Sequence, residues 1–570
     1  MVVKKYLTYN SLFPYKKAIS SKDIENFINK YDAKNLIRGL VGLINLDYKY
    51  LDKIKNDFFT FLIQENSLFN KAFILNKNTV IFSHQTLLST MKWVILFGNF
   101  SSKNTNNKFI SNDQYINVCI LLCSMVAGTL KKDKLSHILK SSLGDEMLLS
   151  ETQKNLYTNK LNKTPNASSI IRASYFFTDL TYNDELKTEA DYLDYPTIFK
   201  NYYGYSIDEY LGTIFMLYAS FSKNFQYSNN VKNDLINRLP KNDSKIEIIQ
   251  KILNHHTINL NDARVLLKKD YDKEWNNDFF FRYTFLNLPN NECLFLIPAN
   301  LYYNVFLSLK FEIQKAYKET YGKVADKKKL FSSFCGKLQE KYIFNLANET
   351  LSNIDSIKII PEFNYATHNK SSDLMISIGK NTLLIFESKF QSLKKDSLFT
   401  DCYNMFFKDE YRLFVKPLQQ IIKTTKEIID KGDIKTNLPD NTIINLNGYS
   451  NIYIFSLLAE STLVNPYIVK GLCTKIEKTF QQELTLKNKI KGYYSIGLND
   501  FEILLSLLLV LKDNSNIETM LQDIFNKKYT ISQYLYETNK SVPHLQFFIK
   551  RNPLLNKFVS NILPKWNEHI

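Results

Sequence analysis

The sequence predicts an α+β chain: a large, mostly α-helical N-terminal region, a mixed core in the order helix, three strands, helix, strand, and a helical C-terminal tail. Three observations predict it. Only 15 Gly and 13 Pro interrupt 570 residues, which favours long helices over a turn-rich all-β sandwich. Apolar side chains recur at three- and four-residue spacing over residues 1–325, the helical period. After about Ala325 the texture changes to short apolar runs bounded by turn residues, the mark of strands. The organisation is therefore 1–325 helical, 326–515 mixed, and 516–570 a helical tail.

In the first region Ile24–Ile44, Tyr115–Leu130, Ile207–Ser222 and Leu301–Tyr321 carry the helical period. Polar stretches at Asn155–Ser168 and Ser228–Lys245 are candidate breaks, with a sub-boundary near 155–168. His255 and His256 are neighbours in a helix and point apart, so they do not form a paired site. Lys131-Lys132-Asp133-Lys134 and Lys327-Lys328-Lys329 read as solvated loops. The most hydrophobic stretches, Tyr115–Leu130 and Phe501–Leu511, fall short of the ~20 residues a membrane span needs, so they read as buried helices and no membrane partner is expected. Nothing in this region carries recognisable chemistry. Its open roles are substrate binding, sensing a trigger, binding a partner protein, or homo-oligomerisation.

Composition bounds the function. Apolar residues make up 45% and charged residues 23%, which excludes bulk disorder. Lys+Arg is 73 against 56 Asp+Glu, a net charge of +17. A basic surface attracts polyanions, although codon usage rich in Lys, Asn and Ile accounts for part of the excess. The six Cys form no C-x-x-C pair and have no zinc-finger spacing, which fits a reducing cytoplasm. Residues Met1–Tyr6 carry no signal-peptide apolar run. No G-x-x-x-x-G-K-[ST] loop is present, so ATPase chemistry is not expected.

The mixed core reads in order. Phe331–Thr350 is a helix with a stripe at Phe334, Leu338, Tyr342 and Leu346. Ser356–Tyr365 is a strand, and Asp373–Ile378 a second. Gly379-Lys380-Asn381 is a hairpin turn, and Thr382–Phe390 is the third strand. Phe414–Asp430 is an amphipathic helix. Ile452–Leu458 is apolar throughout, as a central strand is. Tyr493–Leu498 is a further strand, and Asn499-Asp500-Phe501-Glu502 has the spacing of a capping box opening a helix.

Three residues of this core point to chemistry: Asp373, Glu387 and Lys389. Glu387 and Lys389 lie two apart at the end of an apolar strand, so they share a face. Asp373 starts the preceding hairpin arm and can stand beside Glu387. Two close carboxylates repel unless a cation lies between them. Hard oxygen donors with open water positions suit Mg²⁺, which can polarise a phosphoryl oxygen and acidify a water. Lys389 can orient that water or stabilise charge developing on phosphorus. Acid-x-Lys recurs by chance in so Lys-rich a chain, for example at Asp32-Ala33-Lys34 and Asp433-Ile434-Lys435. Only Glu387-Ser388-Lys389 closes an apolar strand that follows an Asp-bearing hairpin arm.

Helix, three strands, helix, strand, with Asp on the second strand and Glu-x-Lys on the third, resembles the PD-(D/E)xK nuclease superfamily, the restriction-endonuclease-like fold, over about residues 330–510. Ser371-Ser372-Asp373 stands where the family often has Pro-Asp, so only the Asp is carried over. Gln339-Glu340-Lys341-Tyr342-Ile343 is similar to the Phe-Glu-x-Tyr-Val-like run of the first helix and implies Glu340 as a third acidic residue at the metal. Lys416-Pro417-Leu418-Gln419-Gln420-Ile421 is similar to the Gln-bearing helix, with Gln420 preferred to Gln419. The resemblance implies Mg²⁺-dependent hydrolysis of nucleic acid, usually DNA, with Mn²⁺ able to substitute. The implied metal ligands are Asp373, Glu387 and Glu340, with Lys389 and Gln420 completing the catalytic set. Nucleases carrying large helical domains resemble anti-phage or restriction effectors, which is fold-level analogy. Glu362 reads equally as a further ligand or an edge charge, and His368 and Lys370, in the loop before Asp373, as ordinary loop residues more than as phosphate contacts. The alternatives are a catalytically silent nuclease-fold module that binds nucleic acid or protein, and a helical interaction protein without these strands.

Overall fold

The computed structural model describes residues 5–14, 16–44, 51–64, 79–100, 112–129, 167–221, 230–237, 245–269, 271–272, 278–290, 292–296, 305–322, 325–366, 369–390, 411–436, 438, 443–459, 486, 488–511, 513–527, 531 and 534. They show a mixed α+β protein with several small sheets. The chain divides into two compact, discontinuous units. The first comprises 1–165, 209–304 and 398–401; the second comprises 166–208, 305–397 and 402–570. Residues 166–208 and 305–324, read from sequence with the helical region, thus belong to the second unit.

The first unit is mostly helical. Ala33–Ile44, His84–Phe97 and Asn112–Thr129 pack on one another. The expected helix over 24–44 is two helices, Ser21–Ile28 and Ala33–Ile44. Asp32 ends the continuity, because its side chain accepts the Asn35 amide at 3.0 Å in the manner of a cap. Gly39 permits the close crossing with Asn112–Thr129: a Cβ there would lie 2.8 Å from Cys119 Sγ. Cys119 and Cys123 are buried thiols whose ionisation is suppressed by burial. His256 is buried, and its Nε2 lies 3.2 Å from the Tyr210 hydroxyl, a core pair. A three-stranded sheet (Thr257–Asn259, Phe285–Asn287, Cys293–Phe295) was not expected. Three-residue strands are too short to show a period of two. No described helix is long and apolar enough to cross a membrane. Lys131–Lys134 and almost all of 155–168 lie outside the described residues, as do His368, Cys402, Cys473 and most of the tail beyond 527.

The second unit contains the mixed core. Helix α1, Ala325–Leu351, begins earlier than expected and takes in Lys327–Lys329, which are helical. Its stripe of Phe334, Leu338, Tyr342 and Leu346 is buried. Strands β1 (Ile357–Pro361), β2 (Leu374–Ile378) and β3 (Thr382–Lys389) follow. The expected strand over 356–365 breaks after Pro361; Asn364–Ala366 pairs instead with Asn369–Lys370 as a small ribbon. Gly379, at φ +58°, makes the β2–β3 turn in the left-handed region that favours Gly. Helix α2 is Lys416–Lys431, entered through a wide helical turn over Tyr411–Val415. Strands β4 (Asn451–Leu458) and β5 (Ile490–Gly497) complete a five-stranded sheet of order β5-β4-β3-β2-β1. β1, β2 and β3 are antiparallel neighbours, while β3, β4 and β5 run parallel.

The interior strands are apolar because both faces are covered. On one face Phe386 stacks on Phe455 at 4.9 Å and meets Phe501 of α3, Leu498–Leu511, at 5.3 Å. Tyr453 and Phe455 of that face meet Phe525 of α4, Asn514–Lys527. The other face carries α2, whose Leu418, Ile421, Ile422, Thr425 and Ile428 are buried. The expected capping box at Asn499–Glu502 is not the device used. The helix begins at Leu498, and the Glu502 carboxylate is taken by Arg172 and by the Tyr342 hydroxyl, the latter at 2.8 Å.

Candidate active site

Strand register builds the site. Phe386 of β3 faces Leu374 of β2, so the next residues outward, Glu387 and Asp373, stand opposite each other with side chains on one face. Pro361 of β1 likewise faces Leu374, which puts Glu362 on Asp373's other flank. In the parallel direction Glu387 faces Ser456, and Ser456 faces Ser495. A polar row thus crosses the end of an otherwise apolar sheet.

Hydrogen bonds fix the central groups. Ser388 N donates to Asp373 Oδ2 at 2.6 Å, tying the two strand ends together. Glu387 Oε1 accepts from Lys389 Nζ at 2.7 Å and from Gln420 Nε2 of α2 at 2.8 Å. Glu387 is 4% exposed, whereas the Lys389 side chain is 30% exposed. At the rim Lys370 Nζ pairs with Glu362 Oε2 at 2.7 Å. The structure therefore brings Asp373, Glu387, Lys389 and Gln420 together. Glu340, on α1, is within electrostatic reach of both carboxylates. Gln419 accepts from the Tyr411 hydroxyl at 3.1 Å.

The charges are crowded. Burial pushes the Asp373 carboxyl well above the usual carboxylate range, and Glu387 and Glu340 push it further; the Ser388 amide and Lys389 only partly oppose this. Burial also raises Glu387, against the charge and hydrogen bond of Lys389. Glu340 is raised by burial and by Glu362, with Lys389 and Lys370 opposing. Burial would lower Lys389, but Glu387, Asp373 and Glu340 outweigh it and hold the ammonium charged. Four carboxylates share two ammonium groups, so the ionised cluster carries excess negative charge. A proton or a cation relieves it.

The oxygen donors Asp373 and Glu387 are of the chemical type a hard divalent ion takes. They are adjacent carboxylates in a desolvated place, and the Ser456 hydroxyl beside Glu387 is buried with no hydrogen-bond partner, a group to which a bound water could donate. Mg²⁺ characteristically takes one or two carboxylates and keeps waters. Among the described residues, no three or more His, Cys, Asp or Glu side chains form a group that could hold a metal ion. Glu340 interacts electrostatically with both carboxylates.

Sequence reading left Glu362 open between a further ligand and an edge charge, and favoured Lys370 as a loop residue away from phosphate. The signal was a count along β1: the residue after the one facing Leu374 must lie beside Asp373. No family model matches the chain, and neither a curated protein nor a solved structure matches it.

Proposed function

We propose that the chain is a metal-dependent nuclease of the PD-(D/E)xK, restriction-endonuclease-like class, hydrolysing phosphodiester bonds of nucleic acid, with DNA as the expected substrate. One observation carries this reading: the β2–β3 register sets Asp373 beside Glu387, and Lys389 and Gln420 both hydrogen-bond to Glu387. The αβββαβ order around the site supports it, as does the net charge of +17 against a polyanionic substrate.

Asp373 and Glu387 would hold Mg²⁺, which supplies charge neutralisation and polarisation of a phosphate oxygen when bound. The residues do the rest. Gln420 fixes the Glu387 carboxylate in one rotamer, so that no reorganisation is needed during reaction. The Lys389 ammonium, held charged and partly exposed, can orient the attacking water and stabilise charge developing on the phosphate. Glu340 adds negative potential that favours a cation between Asp373 and Glu387. A role in anti-phage defence or restriction rests on analogy and follows only if nucleic acid is cut.

The test is cleavage of plasmid, linear duplex, single-stranded DNA and RNA with Mg²⁺, Mn²⁺ or EDTA, comparing wild type with Asp373→Asn and Lys389→Ala. Metal-dependent cutting by wild type, lost in both variants while their circular dichroism spectra are retained, is the expected result. Binding without cutting by wild type would replace this reading with a catalytically silent module.

A further inference from the structure

Helix α2 brings more than Gln420 to the site. Its buried residues, Leu418, Ile421, Ile422, Thr425 and Ile428, fall on one side. At 100° per residue, Lys416, Gln420 and Lys423 cluster on the opposite side, and all three are exposed. Lys416 and Lys423 stand about 10 Å apart along the axis and bracket the residue that touches Glu387. Just ahead of the helix Tyr411 is 52% exposed, the most exposed aromatic ring among the described residues. Its hydroxyl donates to Gln419 Oε1, which fastens the ring's far end one residue from Gln420 and leaves much of its surface in water. Other aromatic side chains of this neighbourhood, Tyr365 and Phe390, are buried.

We infer that this edge of α2 is a track for a single strand, with Lys416 and Lys423 on its phosphates and Tyr411 as a stacking platform for an unpaired base beside the scissile bond. Exposing a large ring costs hydrophobic free energy. A hydroxyl anchor holds that ring still for a flat, apolar partner. A base in a duplex has both faces covered by its neighbours; a base in a single strand offers one. Stacking on an aromatic side chain tolerates any base, and lysines beside it follow the backbone without reading sequence. The inference rests on the nuclease reading for its scissile bond, and it names the substrate class of that site: single-stranded nucleic acid, or a strand locally unpaired.

Fluorescence anisotropy on the full chain in EDTA tests it, with labelled thymidine dodecamer, uridine dodecamer and a blunt DNA duplex as probes. Wild type should bind the single strands more tightly than the duplex, and the tighter of the two identifies the preferred sugar. Tyr411→Ala should weaken single-strand binding by roughly 5- to 100-fold and leave duplex binding unchanged. Tyr411→Phe keeps the ring and should stay within about twofold of wild type. Lys416→Ala and Lys423→Ala should each reduce the salt slope of single-strand binding by about 0.7. Equal loss on duplex and single strand, no loss in Tyr411→Ala, or no binding by wild type overturns the inference. Adding Mg²⁺ to the same wild-type complexes separates the two claims. Tyr411-dependent binding without cutting removes the nuclease reading alone, while duplex cutting that ignores Tyr411 removes this inference alone.

Discussion

The second unit holds two sets of charges, and they are built on opposite principles. In one, the Arg172 guanidinium donates to the Glu502 carboxylate through Nε and Nη2, and the Tyr342 hydroxyl donates to the same carboxylate at 2.8 Å. Cation and anion are one each, and both side chains are under 10% exposed. In the other, four carboxylates share two lysines at the open end of a sheet. The first set is closed and neutral, so it serves as a strut joining Ala167–Phe177, α1 and α3. The second is unbalanced and reaches solvent through Lys389, which is why the proposed function places a cation there. Charge balance separates the closed cluster from the open one.

Asp373→Asn is the sharpest way to break that contrast. It removes one of two metal donors but keeps the shape and can still accept from the Ser388 amide. Cleavage with Mg²⁺ should fall by about a thousandfold or more, while metal-free stability holds or rises because a repulsive charge is gone. A loss of folding instead, seen as a lowered melting temperature by circular dichroism, would make the site a second strut.

The converse substitution is Glu502→Gln. It leaves Arg172 buried with its charge uncompensated and should destabilise the fold by about 3–5 kcal/mol in urea unfolding. Turnover per folded molecule should be unchanged. The double variant Arg172→Met, Glu502→Leu should recover most of that stability, since an apolar pair of similar volume is often as good as a buried ion pair.

Metal and pH sharpen the contrast at the next scale. Asp373, Glu387 and Glu340 titrate above ordinary carboxylate values in the folded chain. A raised folded value means the associated stability is fully present below the unfolded value of about 4 and is lost as pH rises through the folded values. In EDTA the protein should therefore unfold more easily at pH 8 than at pH 5. Mg²⁺ at about 100 times its Kd should add about 2.7 kcal/mol at pH 8, and less at pH 5, where protons compete for the same oxygens. Scanning calorimetry with and without Mg²⁺ at both pH values checks this. Asp373→Asn should flatten both responses.

The unbalanced set was legible in the sequence and the strut was not. Glu387 and Lys389 announce themselves because they end an apolar strand, and a hairpin of fixed turn sets Asp373 opposite. These are local relations, carried by the period of two. Arg172 and Glu502 are 330 residues apart, and no periodicity relates them; the apparent capping box at Asn499–Glu502 pointed elsewhere. The recruitment of 166–208 and 305–324 into the second unit is invisible for the same reason, since helices advertise an apolar face but not its partner. Short strands such as Cys293–Phe295 carry too few residues to alternate.

Gln420 gives the smallest effect and the finest discrimination. It touches only Glu387 among the site's charged groups, donating at 2.8 Å from an exposed position on α2. Removing it unfolds nothing, because the buried side of α2 lies opposite. It frees one oxygen of Glu387 to swing, and partners that orient a ligating carboxylate typically matter 10- to 100-fold in metal affinity or activity. Gln420→Ala should therefore lower cleavage about tenfold at limiting Mg²⁺ and less at saturating Mg²⁺, because excess metal compensates for a misplaced donor. Titrating Mg²⁺ against rate for both proteins reads this directly. A loss independent of Mg²⁺ concentration would instead put Gln420 on the substrate, beside Lys416 and Lys423, and move it from the metal side of the site to the strand side.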